Sequence, residues 1–367
     1  MVLEQYRRQI DEIDQQLTRL FEERMKLVVE VGEYKKQNGL PIFHADRERQ
    51  VLEKNASYLS DDRFRQELIE FYKALMGITK SYQQKIVIER CIVGYQGVEG
   101  SFSHIALGEI FAAQRQQDLL DTKHYQEFED VFKALKDGDI KYGILPIENS
   151  STGSINQNYD YLHRYNCYII SEHLVRAEQN LLAVPGATLD SVKQVYSHPQ
   201  GFEQSVKFLS KFKDWDLMPY YNTAISAQYV HEQNDPKLAA IASKEAAKKY
   251  GLNILAEDIN DNKKNFTRFI QIGNDLEYDE SSNKISIIFS IPNRAGTLFK
   301  VMENIAQNGI NMLMLESRPI PEKSWEYLFY LDIEGNLEEE RIQRTLAQIE
   351  KNTSYYKLLG CYKREAM

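Results

Sequence analysis

The sequence is poor in cysteine, so a disulfide framework is excluded as the basis of its stability. Cysteine occurs three times in 367 residues, at Cys91, Cys167 and Cys361, and no two of these form a CxxC pair. A small, odd number of scattered cysteines is typical of reduced thiols in the cytosol. Histidine occurs seven times, without an HExxH motif or a His/Cys cluster at ligand spacing. We therefore expect no metal site and no cofactor.

Long apolar runs and an excess of positive charge are also missing. No run approaches the ~20 apolar residues of a membrane span, and residues 1–8 alternate charged with apolar side chains instead of forming the apolar block of a signal peptide. These features predict a cytoplasmic protein without a membrane partner. The net charge of −9 argues against a nucleic acid partner. A small anionic substrate is compatible with it, because salt screens charges beyond about 8–10 Å.

The length of the chain predicts more than one domain. Hydrophobic residues make up 43% and charged residues 27%, which are ordinary proportions for a globular protein and exclude general disorder. A chain of 367 residues is too long for one core of usual size, so two or three domains are expected. The changes of pattern described below place them at residues 1–88, 89–275 and 284–367.

Residues 1–37 carry the apolar spacing of one long helix. The apolar positions step by three and four: Leu3, Tyr6, Ile10, Ile13, Leu17, Leu20, Leu27, Val31 and Tyr34. Such a heptad rhythm is typical of a helix that packs against other helices, and this helix would be on the order of 50 Å long. Shorter helices are predicted from Asp46 to about Tyr58 and from Asp61 to about Lys85. One very long helix and two short ones cannot close a core alone, so we predict an all-α domain in an intertwined dimer.

Beyond about residue 86 the pattern changes to short apolar strands that alternate with helices. Strands are predicted at 91–95, 142–147, 168–170, 194–196, 238–242 and 266–272, and helices at 130–136, 202–212 and 243–250. This alternation is typical of an α/β domain, here large enough for two lobes with a cleft. After residue 284 the predicted order is βαββαβ, the ferredoxin-like pattern of an α+β domain.

One position in the heptad rhythm of the first helix is charged. The spacing requires an apolar residue after Leu20 at the position of Arg24, and a guanidinium in a helical interface is unfavourable unless an anion pairs with it. Arg24 is therefore either part of a structural salt bridge or a ligand for a substrate carboxylate. Further polar residues on the predicted helices are Arg7, Lys35, Arg47, Glu48, Thr79 and Gln83. Together they would suit a small dicarboxylate that bears a hydroxyl group.

With these residues in place, residues 1–85 resemble the all-helical chorismate mutase family. The matching runs are Glu23-Arg24, Val29-Glu30-Val31-Gly32, Lys35, Asp46-Arg47-Glu48-Arg49 and Gln83-Gln84. The family rearranges chorismate to prephenate in a pericyclic reaction, which needs substrate orientation and stabilisation of charge on the ether oxygen rather than a nucleophile.

The resemblance implies a role for each polar residue of this helical domain. Arg24 and Arg7 of the partner subunit would bind the two carboxylates. Lys35 and Gln83 would face the ether oxygen, and Glu48 would face the ring hydroxyl. Arg47 and Thr79 would complete the site. At His44 the family usually has an acidic residue that shares the hydroxyl with Glu48. A neutral imidazole accepts a hydrogen bond and a protonated one does not, so we expect the mutase to weaken at low pH.

The central region carries loop motifs that are weakly specific one by one, because most glycine turns and polar loops only turn the chain. They are Gly97-Val98-Glu99-Gly100-Ser101-Phe102-Ser103-His104, Pro146-Ile147-Glu148-Asn149-Ser150-Ser151-Thr152-Gly153, Tyr196-Ser197-His198-Pro199-Gln200 and Asn265-Phe266-Thr267-Arg268-Phe269. In this order, over residues 90–273, they resemble prephenate dehydratase. The resemblance implies a two-lobed fold like that of the periplasmic binding proteins.

Prephenate dehydration expels the ring hydroxide while carbon dioxide leaves, so it requires a donor at the departing oxygen and positive groups for two carboxylates. By resemblance, Thr267 assists the leaving hydroxyl and Arg268 binds a carboxylate. The cleft would be lined by Glu148, Asn149, Ser197 and Gln204. Ser101 and Ser103, at a helix start, would donate to an anion. His104 and His198 are interpreted as structural rather than as acids.

The last unit resembles an ACT regulatory domain, which binds amino acids. The matching runs are Asn293-Arg294-Ala295-Gly296-Thr297-Leu298, Gly309-Ile310-Asn311 and Leu315-Glu316-Ser317-Arg318-Pro319. The resemblance implies a phenylalanine site that comprises Gly296, Thr297, Leu298, Asn311, Glu316, Ser317 and Arg318. The dehydratase family usually has alanine where Thr297 stands. Backbone N–H groups at the start of the following helix would suit the carboxylate of the amino acid.

The resemblances together predict a bifunctional enzyme of phenylalanine biosynthesis, as a homodimer or a dimer of dimers, that is inhibited by phenylalanine. Its small-molecule partners would be chorismate, prephenate and phenylalanine. Two alternatives stay open. A monofunctional dehydratase could use the helical domain for dimerisation alone, as the histidine at position 44 would allow. A non-enzymatic amino-acid-binding regulator could use the two-lobed fold, although the intact Thr267-Arg268-Phe269 run argues against it.

Overall fold

The computed structural model describes residues 2–37, 45–87, 91–116, 119–320 and 326–365, with side chains except those of residues 36–37, 45–49, 81 and 83–87. The chain divides into two compact units, Met1–Arg90 and Cys91–Met367. Within the described ranges, no helix is both long enough and apolar enough to cross a membrane.

The first unit is helical, as predicted. Its elements are α1 (Val2–Gln37), α2 (Ala45–Ala56), a short 3-10 turn (Asp62–Phe64) and α3 (Arg65–Val87). Asp61 caps the turn, because its side chain accepts from the backbone N–H of Arg63. With 36 residues, α1 is about 54 Å long.

Most of the predicted heptad positions of α1 do not pack within the described unit. Val28 of α1 is buried, and α1 packs against α3. The predicted heptad positions stay exposed, from Leu3 at 62% to Val31 at 46%. The prediction of an apolar stripe is confirmed, and its side chains are 46–62% exposed in the described structure.

The second unit begins with an α/β region. Its elements are β1 (Cys91–Gln96), α4 (Phe102–Ile110), α5 (Ala112–Gln116), β2 (Leu120–Tyr125), α6 (Phe128–Asp137), β3 (Tyr142–Asn149), β4 (Gly153–Ser154), α7 (Asn156–Arg164), β5 (Tyr168–Arg176), β6 (Asn180–Ala183), β7 (Gln194–Ser197), α8 (Pro199–Glu203), α9 (Val206–Leu209), β8 (Asp216–Pro219), α10 (Thr223–Gln233), β9 (Leu238–Ala242), α11 (Lys244–Tyr250), β10 (Asn253–Ala256) and β11 (Phe266–Gly273). All of the predicted strands are present, and the helix predicted at 202–212 is interrupted between α8 and α9.

These elements form two lobes, each built on its own sheet. The first sheet has the order β2-β1-β3-β11-β5 and the second the order β10-β6-β9-β7-β8. The chain passes into the second lobe after β5 and returns to the first with β11, so β11 lies between strands that end 90 or more residues before it begins. Thr267 pairs with Asn149 on β3 and with Val175 on β5. The long-range pairing of β11 therefore positions the predicted Thr-Arg-Phe run inside the first sheet, between β3 and β5.

The C-terminal region has the predicted βαββαβ order. Its elements are β12 (Lys284–Ser290), α12 (Thr297–Gln307), β13 (Met312–Pro319), β14 (Tyr327–Glu334), α13 (Glu340–Lys351) and β15 (Tyr355–Tyr362). The strands pair in the antiparallel order β13-β14-β12-β15. Ile285 and Phe289 pack with Val301 and Ile342 in a core between the sheet and its two helices.

The opposite face of this C-terminal sheet packs on the first lobe. One hydrophobic cluster contains Leu162 and Ile270 of the lobe together with Ile288, Leu328 and Leu359 of the sheet. The Tyr330 hydroxyl donates to the carbonyl of Tyr159 at 2.7 Å. The dehydratase-like and ACT-like regions therefore share a hydrophobic core and form one compact unit.

Candidate active sites

A cavity of about 420 Å³ lies between the two lobes. Polar residues of both lobes line it. Those of the first lobe include Gln96, Ser101, Ser103, Asn149 and Thr267, and those of the second lobe include His198, Gln200, Gln204, Asn222 and Thr223. The Gln200 side chain donates to Thr152 Oγ1 at 2.9 Å, which joins the lobes beside the cavity. The volume is sufficient for a small ring compound with its polar substituents.

The hydroxyl of Thr267 is oriented by Asn149. The oxygen of the Asn149 amide accepts from the backbone N–H groups of Ser151 (2.9 Å) and Thr152 (3.1 Å), which fixes the orientation of the amide. Its Nδ2 group then donates to Thr267 Oγ1 at 2.9 Å and to Asn265 Oδ1 at 2.9 Å. No described residue accepts a hydrogen bond from the Thr267 hydroxyl. Because Asn149 occupies a lone pair of this hydroxyl, its proton is available to a molecule in the cavity.

The cavity lacks charged side chains among its described lining residues, so an anion would depend on helix starts. Ser101 is the N-cap of α4 and accepts from the backbone N–H of His104. Asn222 is the N-cap of α10 on the opposite lobe and accepts from Ile225 N at 2.7 Å. Backbone N–H groups and the helix dipole favour negative charge at such positions. Sequence reasoning missed Asn222 and Thr223, although an Asn-Thr cap before a helix was visible there.

Arg268 was predicted to bind a substrate carboxylate and Glu148 to line the cleft, but neither residue lines the cavity. Successive residues of a strand point to opposite faces, and Thr267 faces the cavity, so Arg268 points away from it. Its guanidinium donates to Glu148 (3.0 Å), Glu172 (3.3 Å) and Asp332 (3.3 Å) behind the sheet. The side chain is thus engaged by three carboxylates and is not available to a substrate in the cavity.

Ser197 and Gln204 of the second lobe were also predicted to line the cleft, and only Gln204 does. Ser197 is fully buried, and its hydroxyl donates to the carbonyl of Ile241 at 3.3 Å. Its predicted place in the cleft is therefore corrected, because it lies beneath α8. Gln204 does line the cavity, where it accepts from the Gln179 side chain at 3.3 Å.

His104 and His198 accept hydrogen bonds from the backbone. The Nδ1 atom of His104 accepts from Gly100 N, and that of His198 from Gln200 N, each at 3.3 Å. Burial lowers the pKa of both imidazoles below the ordinary value of 6.5. Both rings are therefore neutral acceptors near pH 7, which is the arrangement expected of structural histidines.

In the helical unit, Arg24 and Thr79 lie together. Arg24 Nη1 donates to Thr79 Oγ1 at 2.6 Å, and the Thr79 hydroxyl donates to the carbonyl of Leu75. Arg24 is half-buried, and Lys35 is half-buried farther along α1. Arg7 is exposed and pairs with Glu4 at 3.1 Å, away from Arg24 along the helix. The prediction for His44 falls outside the described residues, as do those for the side chains of Arg47, Glu48 and Gln83.

In the C-terminal region, part of the predicted amino-acid site lines a second cavity of about 270 Å³. Gly296, Thr297 and Leu298 contribute to it together with Tyr327 and Phe329. Gly296 has a φ of 82° as the N-cap of α12, a conformation that favours glycine. The Thr297 hydroxyl lies 2.8 Å from the carbonyl of Arg294, so it stabilises the turn.

The remaining predicted residues of that site lie elsewhere in the chain's own structure. Glu316 accepts from Ser154 Oγ at 3.2 Å, and Arg318 donates to both carboxylate oxygens of Asp160, at 3.2 and 2.9 Å. These contacts turn both side chains toward the first lobe. Ser317 is exposed on the edge strand β13, and Asn311 is exposed at its start. Within one chain these residues do not line the cavity at Gly296–Leu298, so the prediction of one site formed by all seven residues stays a prediction for an interface between two ACT regions.

The families that match the chain agree with the order of these regions. The family model Chorismate mutase type II matches residues 6–84, Prephenate dehydratase matches residues 93–277, and ACT domain matches residues 285–351.

Several proteins are similar to the chain over nearly all of its length. The bifunctional chorismate mutase/prephenate dehydratase of Aquifex aeolicus is 32% identical over 98% of this chain and 97% of its own. That of Escherichia coli K12 is 31% identical over 98% of this chain and 95% of its own. The solved prephenate dehydratase of Arthrobacter aurescens, a complex with L-Phe, has a TM-score of 0.68 and 27% identity over 74% of this chain and 90% of its own.

Proposed function

Because the chain belongs to the bifunctional chorismate mutase/prephenate dehydratase family, we propose how its residues carry out the two reactions of that family. The enzyme rearranges chorismate to prephenate and converts prephenate to phenylpyruvate, with loss of water and carbon dioxide. Its free cysteines suit a reducing compartment, so we place it in the cytoplasm. The residue roles below are proposals.

In the dehydratase reaction, Thr267 donates a hydrogen bond to the departing ring hydroxyl. The bond between the ring carbon and that oxygen breaks while the ring carboxylate leaves as carbon dioxide. The electron pair of the broken carbon–carbon bond completes the aromatic ring, and the expelled hydroxide takes up one proton from the solvent and becomes water. A fixed donor at the leaving oxygen stabilises the negative charge that develops there. The observation that carries this assignment is the Asn149–Thr267 hydrogen bond of 2.9 Å at the wall of the cavity.

The two carboxylates of prephenate bind at the starts of α4 and α10. Ser101 and Ser103 donate to one of them, and Thr223 with the first N–H groups of α10 donates to the other. Support comes from their positions on opposite walls of a cavity whose described lining residues carry no formal charge. Binding across the cavity would hold the two lobes together around the substrate.

In the mutase reaction, Arg24 binds a carboxylate of chorismate from a half-buried position next to Thr79. Lys35 and Gln83 stabilise the ether oxygen, Glu48 binds the ring hydroxyl, and Arg47 completes the site. Arg7 of the partner subunit binds the second carboxylate. The short Arg24–Thr79 contact orients the guanidinium before substrate arrives, which supports the role of Arg24 as a ligand over a structural salt bridge.

The helical units form an intertwined dimer along the exposed stripe of α1. Leu3, Tyr6, Ile10, Ile13 and Leu17 are each 48–62% exposed on a helix of 36 residues. A continuous apolar surface of this length is unusual on a monomer and favours a second helix as its partner. Sedimentation equilibrium tests this: a stable monomer would rule it out, and a homodimer or a dimer of dimers would support it.

Phenylalanine binds to the ACT region as a feedback inhibitor. The cavity at Gly296–Leu298 would hold the amino acid, with its carboxylate at the start of α12. Phe299 is 64% and Tyr327 38% exposed beside this cavity, so we place the site at an interface between two ACT regions, where Ser317 of the exposed edge strand would approach from the partner subunit. The L-Phe complex of the Arthrobacter aurescens protein is the precedent for such a ligand.

A single time course tests both activities. Purified protein is incubated with chorismate, and prephenate and phenylpyruvate are followed together. We expect prephenate to rise first and phenylpyruvate to follow. Formation of phenylpyruvate from added prephenate, without any turnover of chorismate, would instead support a monofunctional dehydratase with a helical dimerisation domain.

A further inference from the structure

Five charged residues meet behind the sheet that carries Thr267. They are Glu148, Glu172, Arg268, Lys284 and Asp332, and we refer to them as the charge cluster. Besides the three contacts of Arg268, Lys284 Nζ donates to Glu172 at 2.7 Å and to Asp332 at 3.0 Å. Glu172, Lys284 and Asp332 are all buried. The charge cluster is thus largely an interior network, with the half-exposed side chain of Glu148 at its edge.

The charge cluster connects the dehydratase sheet with the ACT sheet. Glu148, Glu172 and Arg268 lie on β3, β5 and β11, which are adjacent in the first sheet. Lys284 lies on β12 and Asp332 on β14 of the ACT region. Asp332 pairs across the strands with Ser286, which is two residues after Lys284 on β12. The Ser286 hydroxyl donates to Asp332 Oδ1 at 2.6 Å and thereby holds this carboxylate in place. Asp332 therefore contacts the one arginine of β11, and Lys284 contacts the two carboxylates, Glu172 and Asp332, that pair with this arginine.

Arg268 and Glu148, which contact each other behind the sheet, are each next in sequence to a residue that faces the cavity. On β3 and β11, Asn149 pairs with Thr267 and the preceding residue Glu148 pairs with Arg268. The first pair faces the cavity and the second faces the ACT region. The register between β3 and β11 shifts immediately after Arg268. Such irregularities re-aim side chains near active sites, and here the shift lies next to Thr267.

Stability of the interface does not by itself require these charges. Around them the two regions meet through apolar residues such as Ile270, Ile288 and Leu359. Well-packed apolar residues often replace a buried ion network without loss of stability. Burial alone would raise the pKa of Asp332, but Lys284 and Arg268 outweigh it and hold that pKa below its ordinary value. The carboxylate is therefore charged at neutral pH and available to hold the guanidinium.

We propose that Asp332 and Lys284 are positioning residues of the dehydratase. Asp332 holds Arg268 from the ACT side, and Lys284 holds Asp332 and Glu172 in place. Through the paired ends of β3 and β11, this arrangement fixes Asn149 and Thr267 at the cavity. The ACT region then supplies part of the scaffold of the active site in addition to any regulatory ligand site. This inference rests on the role proposed above for Thr267.

The test is a double-mutant cycle in the full-length protein with Asp332→Asn and Thr267→Val. We expect Asp332→Asn to lower the dehydratase kcat about tenfold or more, because small misplacements of a catalytic group are costly. KM for prephenate is expected to change little, since the helix starts that bind it are untouched. In the Thr267→Val background, Asp332→Asn is expected to change kcat less than about twofold, because residues that act through one group are non-additive.

Two further variants separate positioning from a general loss of stability. Lys357, another ACT residue, donates to the carbonyls of Leu162 (2.9 Å) and Tyr165 (2.8 Å) at the end of α7. Lys357→Met should loosen the same interface and leave kcat unchanged. Ser286→Ala removes no charge and should lower kcat in the same direction as Asp332→Asn but less. If Asp332→Asn does not fold, Ser286→Ala in both backgrounds decides the question.

The outcomes distinguish this inference from the proposed function. Near-normal turnover of Thr267→Val would overturn both. A defective Thr267→Val with normal turnover of folded Asp332→Asn, or of Ser286→Ala when that variant must decide, would overturn positioning alone. Equal loss of kcat in Lys357→Met and Asp332→Asn would also overturn it, because the effect would then belong to the interface as a whole. Mutase turnover in each variant serves as the internal measure of active protein.

Discussion

Replacement of Thr267 by valine removes one hydroxyl from the dehydratase cavity and almost nothing else. Valine has nearly the same shape as threonine, so the strand and its packing are retained. Asn149 Nδ2, which donates to the hydroxyl at 2.9 Å, keeps Asn265 Oδ1 at 2.9 Å and the Phe266 carbonyl at 3.3 Å as acceptors. The amide is therefore not left without a partner, and the loss of stability should be about 1 kcal/mol or less.

The catalytic loss should be much larger than the loss of stability. Removal of one preorganised donor from a site of developing negative charge typically costs about 10²–10³ in kcat, or about 2.7–4 kcal/mol. KM should change little, because the carboxylates bind at the starts of α4 and α10. Thr267→Ser keeps the hydroxyl and should retain most of the turnover. A fall in kcat/KM that came from KM alone would contradict the proposed role.

The assay follows phenylpyruvate formation from prephenate over a range of concentrations, together with urea unfolding and mutase turnover. Thr345→Val is the matched control, because Thr345 is fully buried and its hydroxyl donates to the Arg341 carbonyl at 2.8 Å, in a helix remote from the cavity. This control should lose a similar amount of stability without loss of kcat. A Thr267→Val enzyme with near-normal kcat would refute the reasoning and transfer the donor role to another cavity hydroxyl.

Three other predictions concern the mutase, the ACT region and pH. Arg24→Ala and Arg7→Ala should each abolish mutase turnover and spare the dehydratase. When the two variants are mixed and exchange subunits, about a quarter of wild-type mutase activity should return, because half of the dimers would then have one intact site of two. No recovery would mean that each site is formed within one subunit. Phenylalanine should bind in calorimetry and inhibit the dehydratase severalfold to about a hundredfold, the range expected from a coupling of ~1–3 kcal/mol; the absence of binding heat over a range of temperatures would contradict this. Burial lowers the pKa of His104, so the native state binds fewer protons than the unfolded state as the pH falls. The stability contributed by this group is therefore complete above about pH 6.5 and is lost as the pH falls toward the pKa of the folded state. The urea midpoint should therefore fall more steeply between about pH 7 and pH 5.5 in the wild type than in His104→Gln, and equal slopes would argue against a neutral, hydrogen-bonded His104.

Local patterns in the sequence determined the elements of this protein and their order. The three-four spacing from Leu3 to Tyr34 predicted α1, and the carboxylate at Asp61 marked the beginning of the third helical segment, because helical periodicity and capping depend on residues within one or two turns. The βαββαβ order after residue 284 was readable for the same reason. The loop runs around Asn149 and Thr267 predicted a site at strand ends, because those polar residues follow or begin buried strands.

Tertiary structure decided which side chains reach the site. Thr267 and Arg268 are adjacent on β11 and must point to opposite faces, but only the pairing of β11 with β3 and the position of the cavity determine that Arg268 faces the ACT region. Glu316 and Arg318 likewise turn toward the first lobe because of where β13 lies. The start of α10 reaches the cavity only because the second lobe closes against the first. These side-chain orientations depend on contacts between residues that are far apart in sequence, so local propensity and spacing carry no information about them. The same contacts determine which groups a substrate meets.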